Sequence, residues 1–295
     1  DVSSSARIGS RFGPRAYREA STYYHTHTAL GGGVFEVDTK ERIRGDRARP
    51  KIIDLGDVSV IDTDWTETSS RIKNTIVQIM AKGAIPVAMG GDHLITLPLV
   101  QGYKDAMASE GVSNIGYIQF SSGLDLGHQD PIWGNVWGGS TAHQIIDSGL
   151  VHPENMVSIG TNRYVRSEEL DTAKNWGVKI FTAEDVRRNG IKAVTDQALE
   201  IASKDCGSIY VSTDISAVDG AYIAGTDTPR FDGLRNVDLW IAVDIIARHS
   251  AGALDICGLN PVSEIVGLGE TGQRFGVHLA LKFIHPKIGV IEKRK

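Results

Sequence analysis

Two cysteines in 295 residues are too few for a disulfide-stapled scaffold. Cys206 and Cys257 stand in the apolar contexts DCGSIYVS and ALDICGL, and read as reduced core thiols of a cytoplasmic protein. The nine histidines are scattered, and no HxxxH or CxxC spacing marks a zinc motif. Positive charge is not in excess either: the formal net charge is -5. A nucleic acid or an anionic membrane would call for a basic patch, so neither is an expected partner. No apolar run reaches membrane-spanning length, and no internal repeat, low-complexity segment or linker interrupts the chain.

What is present is an alternation of apolar runs and helical patterns in a chain that is 41% hydrophobic. Strands are expected at Lys51–Leu55, Ile85–Met89, Ile115–Phe120, Met156–Ile159, Lys179–Thr182, Ser208–Ser212 and Gly252–Cys257. Apolar residues at helical spacing predict helices over Trp65–Lys82, Leu97–Glu110, Thr141–Gly149, Val165–Trp176, Ile191–Ser203 and Val237–Ala247, with a closing helix at Phe275–Ile284. Buried strands alternating with helices imply an α/β fold: one domain over residues 1–295 with a mainly parallel central sheet covered on both faces. The basic tail IEKRK at Ile291–Lys295 reads as a solvated end.

In such a sheet the loops after the strands carry the chemistry. GGDHLITLP, Gly90 to Pro98, puts Asp92 and His93 at the tip of a glycine turn. That is either a weak metal signal or an Asp holding the loop beside a neutral His. STDISAVDGAYIAGTDTP, Ser212 to Pro229, carries Asp214 and Asp219 at a strand end, where carboxylates suit a divalent cation or simply form turns. IQFSSGLDLG, Ile118 to Gly127, ends in a loop with two serines, a glycine and one carboxylate.

These segments together resemble the ureohydrolase family of arginase, agmatinase and guanidinobutyrase, in order along nearly the whole chain. RIGSRFGPRAYREAS, Arg7 to Ser21, resembles the family's RxGxRxGPxxIRxAS; GGDHLITLP resembles its GGDHSITLP. IQFSSGLDLG falls where the family has a strand ending in DAHxD, and GGSTAHQIIDSGLV falls on HGTPFRRAxxxGLI. STDISAVDGAYIAGTDTP resembles SFDIDxxDPxxAPGTGTP, and LDICGLNP falls on FDxxEVNP. The resemblance implies the three-layer α/β/α arginase-like fold. Asp1 falls inside the family's DGGTxxRPGxRxGP segment, which implies that a strand precedes the given sequence.

The family holds two divalent ions, manganese or sometimes nickel, roughly 3.5–4 Å apart. Mapped by motif, its six ligand positions are His93, Ser121, Gly123, Asp125, Asp214 and Ser216 here. Three keep a ligand, His93, Asp125 and Asp214, and in the family pattern these serve one metal position. Ser121 and Ser216 offer neutral hydroxyls where the family has carboxylates, and Gly123 has no donor side chain. The family's HGTP histidine falls on Gly138, and its guanidinium-contacting glutamate falls on Gly258. A desolvated guanidinium needs a carboxylate partner.

The resemblance therefore implies a catalytically degenerate ureohydrolase-like subunit with no metal of its own. It would assemble, in a trimer or hexamer, with an active paralogue that carries manganese or nickel and hydrolyses a guanidine or biguanide. The non-catalytic subunit of a two-component hydrolase such as metformin hydrolase is the precedent. Two alternatives stand beside it. One is a mononuclear enzyme using His93, Asp125 and Asp214, with His128 or His143 as a fourth ligand. The other is a binding protein using the old cleft. Trp133 and Trp137, in PIWGNVWGG, are expected at an interface or as closers of the vacated pocket. Without a metal, repulsion between Asp125 and Asp214 should raise the pKa of one of them.

Overall fold

The computed structural model describes residues 7–29, 34–37, 39–43, 52–249, 251–264, 270–287 and 291–293. Its strands are β1 (Val34–Glu36), β2 (Glu41–Ile43), β3 (Val87–Met89), β4 (Ile115–Phe120), β5 (Met156–Thr161), β6 (Lys179–Thr182), β7 (Ser208–Asp214), β8 (Ala251–Cys257) and β9 (Ile291–Lys293). The longer helices are α1 (Gly13–Ala29), α2 (Trp65–Met80), α3 (Thr96–Ser109), α4 (Thr141–Asp147), α5 (Ser167–Trp176), α6 (Ala183–Asn189), α7 (Ile191–Ser203), α8 (Asn236–Ala247) and α9 (Thr271–Ile284).

Six strands form an all-parallel sheet in the order β3-β8-β7-β4-β5-β6. Its central strands are apolar on both faces because both are covered. In β4, Ile118 and Phe120 join one core with Val194, Ala198 and Val243, while Ile115 and Tyr117 join the other with Val100, Tyr103 and Ile145. Helices α1 and α6 to α9 cover the first face, and α2 to α5 the second. This is the expected three-layer architecture. Among the described residues no helix is long and apolar enough to cross a membrane.

Three expectations fail. Residues 52–55 are irregular, with Ile52, Ile53 and Leu55 exposed and Asp54 bonded to Arg18 at 2.6 Å; Lys51 lies outside the described residues. The run is apolar enough for a strand, but nothing pairs with it among those residues. The tail is no free end: β9 pairs antiparallel with β2, Ile291 opposite Ile43 and Lys293 opposite Glu41, closing a small sheet β1-β2-β9; residues 294–295 lie outside the described set. The segment before Asp214 also continues past the expected stop, so that Asp214 itself ends β7. Ion pairs dock the small sheet to the helices: buried Lys282 meets Glu36 at 2.6 Å and Asp244 at 3.3 Å, and Arg248 meets Glu41 at 2.6 Å.

Candidate functional site

All loops singled out from the sequence emerge at the carboxyl ends of β3, β4, β7 and β8, where a parallel sheet gathers them. They line one cleft of about 540 Å³, whose walls include all eight expected positions: His93, Ser121, Gly123, Asp125, Gly138, Asp214, Ser216 and Gly258.

His93 opens a short turn after β3. Asp92 caps that turn through Leu94 N–H at 3.0 Å, so it holds the loop as expected of the non-ligand alternative. The imidazole is buried, with Nε2 3.2 Å from Ser212 Oγ. Nδ1 has no hydrogen-bond partner; Asp125 Oδ2 lies 3.3 Å away and Asp214 Oδ2 3.6 Å. Burial opposes the charged imidazolium, but Cys257 and Asp125 outweigh it and the His93 pKa is raised. Asp125 sits in a left-handed backbone conformation (φ 55°), and Gln119, buried inside β4, donates to its Oδ2 at 3.4 Å. Asp214 Oδ1 accepts the Ser216 N–H at 2.7 Å. Its carboxyl pKa is raised as expected, but burial is the main cause and Asp125 only a lesser one.

Ser121, Gly123 and Ser216 make neutral contacts. Ser216 Oγ bonds Ser122 Oγ at 3.1 Å, and Ser121 Oγ accepts the Gly123 N–H at 3.2 Å. Gly258 has φ +79°, and a Cβ built there would overlap the Asp214 carboxylate. The donors present do not fit a two-metal centre, because a bridging carboxylate and an imidazole are lacking. They fit one cation: an unpaired buried imidazole nitrogen faces two carboxylates.

Other candidates resolve differently. Asp219 accepts the N–H groups of Ala221 at 2.8 Å and Gly233 at 3.1 Å, and so forms a turn. His128 and His143 do not join the ligands. Their rings stack at 4.5 Å, His143 packs on Trp176 at 4.9 Å, and neither lines the cleft. Stacking against the α4–α5 side gives the rings a packing partner away from the carboxylates. Trp133 and Trp137 stack at 6.2 Å and wall the cleft, Trp137 buried and Trp133 38% exposed.

Two residues escaped the sequence reading. Cys257 pairs in register with Asp214, and His93, Asp214 and Cys257 present ligand atoms all within 4.8 Å of one another. Glu169, on α5, is buried in the cleft wall, and burial together with Asp125 raises its pKa to about 7. Its sequence context gives no signal; in the fold, Arg166 stands three residues before it with its guanidinium over Trp137 at 5.4 Å.

The family profile described as arginase matches residues 1–285. The chain belongs to the arginase family. Among arginase-family relatives, the formimidoylglutamase of Halalkalibacterium halodurans is 25% identical over 289 residues, 97% of this chain and 84% of that protein. The guanidinopropionase of Pseudomonas aeruginosa is 27% identical over 271 residues, 90% and 78% of the two chains. Formimidoylglutamase from Bacillus subtilis shares the arginase fold with a TM-score of 0.84 at 19% identity, over 97% of this chain and 83% of that one. The formiminoglutamase of Trypanosoma cruzi, solved with paired Mn2+ ions, gives a TM-score of 0.81 at 18% identity, over 97% and 89%.

Proposed function

We propose that this arginase-family chain is a non-catalytic subunit, cytoplasmic, that assembles with an active paralogue hydrolysing a guanidine, biguanide or related amidino compound. The observation that carries this reading is the Gly258–Asp214 pair. The position from which the family reaches the substrate guanidinium has no side chain, and a ligand carboxylate occupies the space where one would begin. Two further metal positions hold serines and a third holds glycine, so dinuclear activation and substrate capture are lost together. Assembly is supported by the rim of the cleft, where Tyr164 stands 80% and Trp133 38% exposed. Exposed aromatics around a cleft suit a subunit contact. Relatives named guanidinobutyrase and guanidinopropionase support a guanidino compound as the partner's substrate. A two-component enzyme of the metformin hydrolase kind is the precedent.

A second reading, an amidinohydrolase with one metal, is favoured by Glu169. It places a carboxyl in the cleft wall close enough to feel Asp125, where it offers a partner for a cationic substrate. One experiment separates the two. The chain is purified alone and co-expressed with an intact ureohydrolase from the same source, and hydrolysis of guanidino compounds and biguanides is assayed. Activity confined to a co-purifying complex, and lost when the paralogue's ligands are mutated, supports the subunit. Activity of the chain alone, lost in Glu169→Gln, supports the enzyme.

A further inference from the structure

We propose that the floor of the cleft holds a single thiophilic divalent ion, zinc, ligated by His93 Nδ1, an Asp214 oxygen and Cys257 Sγ with Asp125 beside them, in place of the family's metal pair. This deepens the one-metal reading above by naming the ion and a further ligand, and it concerns binding of the ion and not turnover.

Behind His93, hydrogen bonds run into the sheet. Ser212 Oγ donates its one proton to Asp255 Oδ1 at 2.9 Å. Its oxygen can therefore only accept from His93 Nε2, 3.2 Å away. Asp255 is itself held by Tyr210 O–H at 2.8 Å and Thr96 O–H at 3.2 Å, so this relay is anchored within the sheet. With Nε2 carrying the proton, neutral His93 points the Nδ1 lone pair into the cleft floor. A second-sphere chain of this kind sets the tautomer of a metal-bound histidine.

What the lone pair meets is a ring of acceptors. Asp125 Oδ2 and Asp214 Oδ2 lie 3.3 and 3.6 Å from it, and His93 Nδ1 is buried without a hydrogen-bond partner. Lone pair against carboxylate is repulsive, and either a proton on Nδ1 or a metal ion between the groups relieves it; the ligand atoms gathered around this point favour the ion. His93, Asp214 and Cys257 offer ligand atoms mutually within 4.8 Å, a spread that one ion draws together with small side-chain movements. The register of β7 on β8 fixes Cys257 beside Asp214. A thiolate, an imidazole and a carboxylate form a borderline-soft set that suits zinc and disfavours manganese. On binding, the Cys257 S–H gives its proton to solvent as the sulfur–metal bond forms.

The test uses the full chain, stripped with a chelator and reloaded with Zn2+ or Co2+. The expected result is one ion per chain by elemental analysis and, with cobalt, a near-ultraviolet thiolate-to-metal absorption. Cys257→Ser should abolish that absorption and weaken zinc binding by at least the roughly 10–100-fold that loss of an outer-shell partner costs, whereas Cys206→Ser should change neither. The proposal is overturned by a chain that binds no ion, leaving a protonated His93 between the carboxylates. It is equally overturned by two ions per chain, by one ion without the thiolate absorption, or by an absorption that depends on Cys206. The wild-type spectrum decides the matter even where the Cys257 variant does not fold.

Discussion

The Asp214 carboxylate lies in the space from which a side chain at position 258 would leave the backbone. Gly258 also holds φ +79°, a conformation that costs a residue with a Cβ about 1–2 kcal/mol. A side chain at position 258 and the present place of the Asp214 carboxylate therefore exclude each other. Gly258→Ala should lower stability in urea by at least that amount. Gly258→Glu should be worse still, and should confer no guanidine hydrolysis. A Gly258→Glu variant as stable as the parent would show that Asp214 moves aside freely.

The triple variant Ser121→Asp, Gly123→His, Ser216→Asp rebuilds the second metal position without touching Gly258. It should hold one more ion per chain than its parent, measured by elemental analysis, with no robust guanidine turnover by urea release. Turnover comparable to an intact ureohydrolase would mean that another carboxyl, with Glu169 the nearest candidate, does the work of position 258.

Glu169 makes stability pH-dependent. Its carboxyl titrates near 4.5 when unfolded and about 7 in the fold. The native state therefore holds the proton longer, and its contribution is complete below about pH 4.5 and lost as pH rises towards 7. Relative to the parent, Glu169→Gln should show a flatter decline of Tm across that window, with a difference at its upper end of roughly 2–4 °C for each kcal/mol of linked stability. Parallel Tm–pH curves for the two proteins would place Glu169 in a wetter setting than the cleft wall.

Lys282 is buried between Glu36 and Asp244, with its ammonium over Trp240 at 5.3 Å. Lys282→Ala leaves two carboxylates facing each other, and should cost about 3 kcal/mol in denaturant unfolding. Restored stability in the double variant Lys282→Met, Glu36→Leu would assign the loss to the stranded charge. Its absence would assign it to packing.

How much of this was legible depended on how local the cause was. The six strands of the parallel sheet and the helices from α2 to α5 and α7 to α9 follow from apolar periodicity, which tertiary packing then confirms, whereas β1, β2 and β9 were not foreseen. Helix α1 was missed because its long polar run, RAYREASTYYHTHTA, hides the few apolar residues it packs with, Ala16, Tyr17 and Ala20. Helix α6 has only seven residues and leaves too short a pattern. Residues 52–55 misled for the opposite reason: they are apolar, but no described strand stands beside them. At the site, motif order placed all eight expected positions around one cleft. Cys257 was invisible as a donor because a Cys in an apolar strand looks like core. Glu169 was invisible because an acid on a helix looks like solvated surface. Both need the neighbouring strand or loop to acquire a meaning.

The pairing of β2 with β9 joins residues about 250 positions apart. On the ribosome, the parallel sheet and its cleft can consolidate as their strands emerge. The small antiparallel sheet must wait until the last strand has been synthesised and has left the exit tunnel. Glu36 and Glu41 are synthesised long before Lys282 and Arg248, so early in translation they stay in water as solvated acids. Closure of this corner is a late event, and a chain stalled or clipped near residue 290 would present a formed cleft with an open flank.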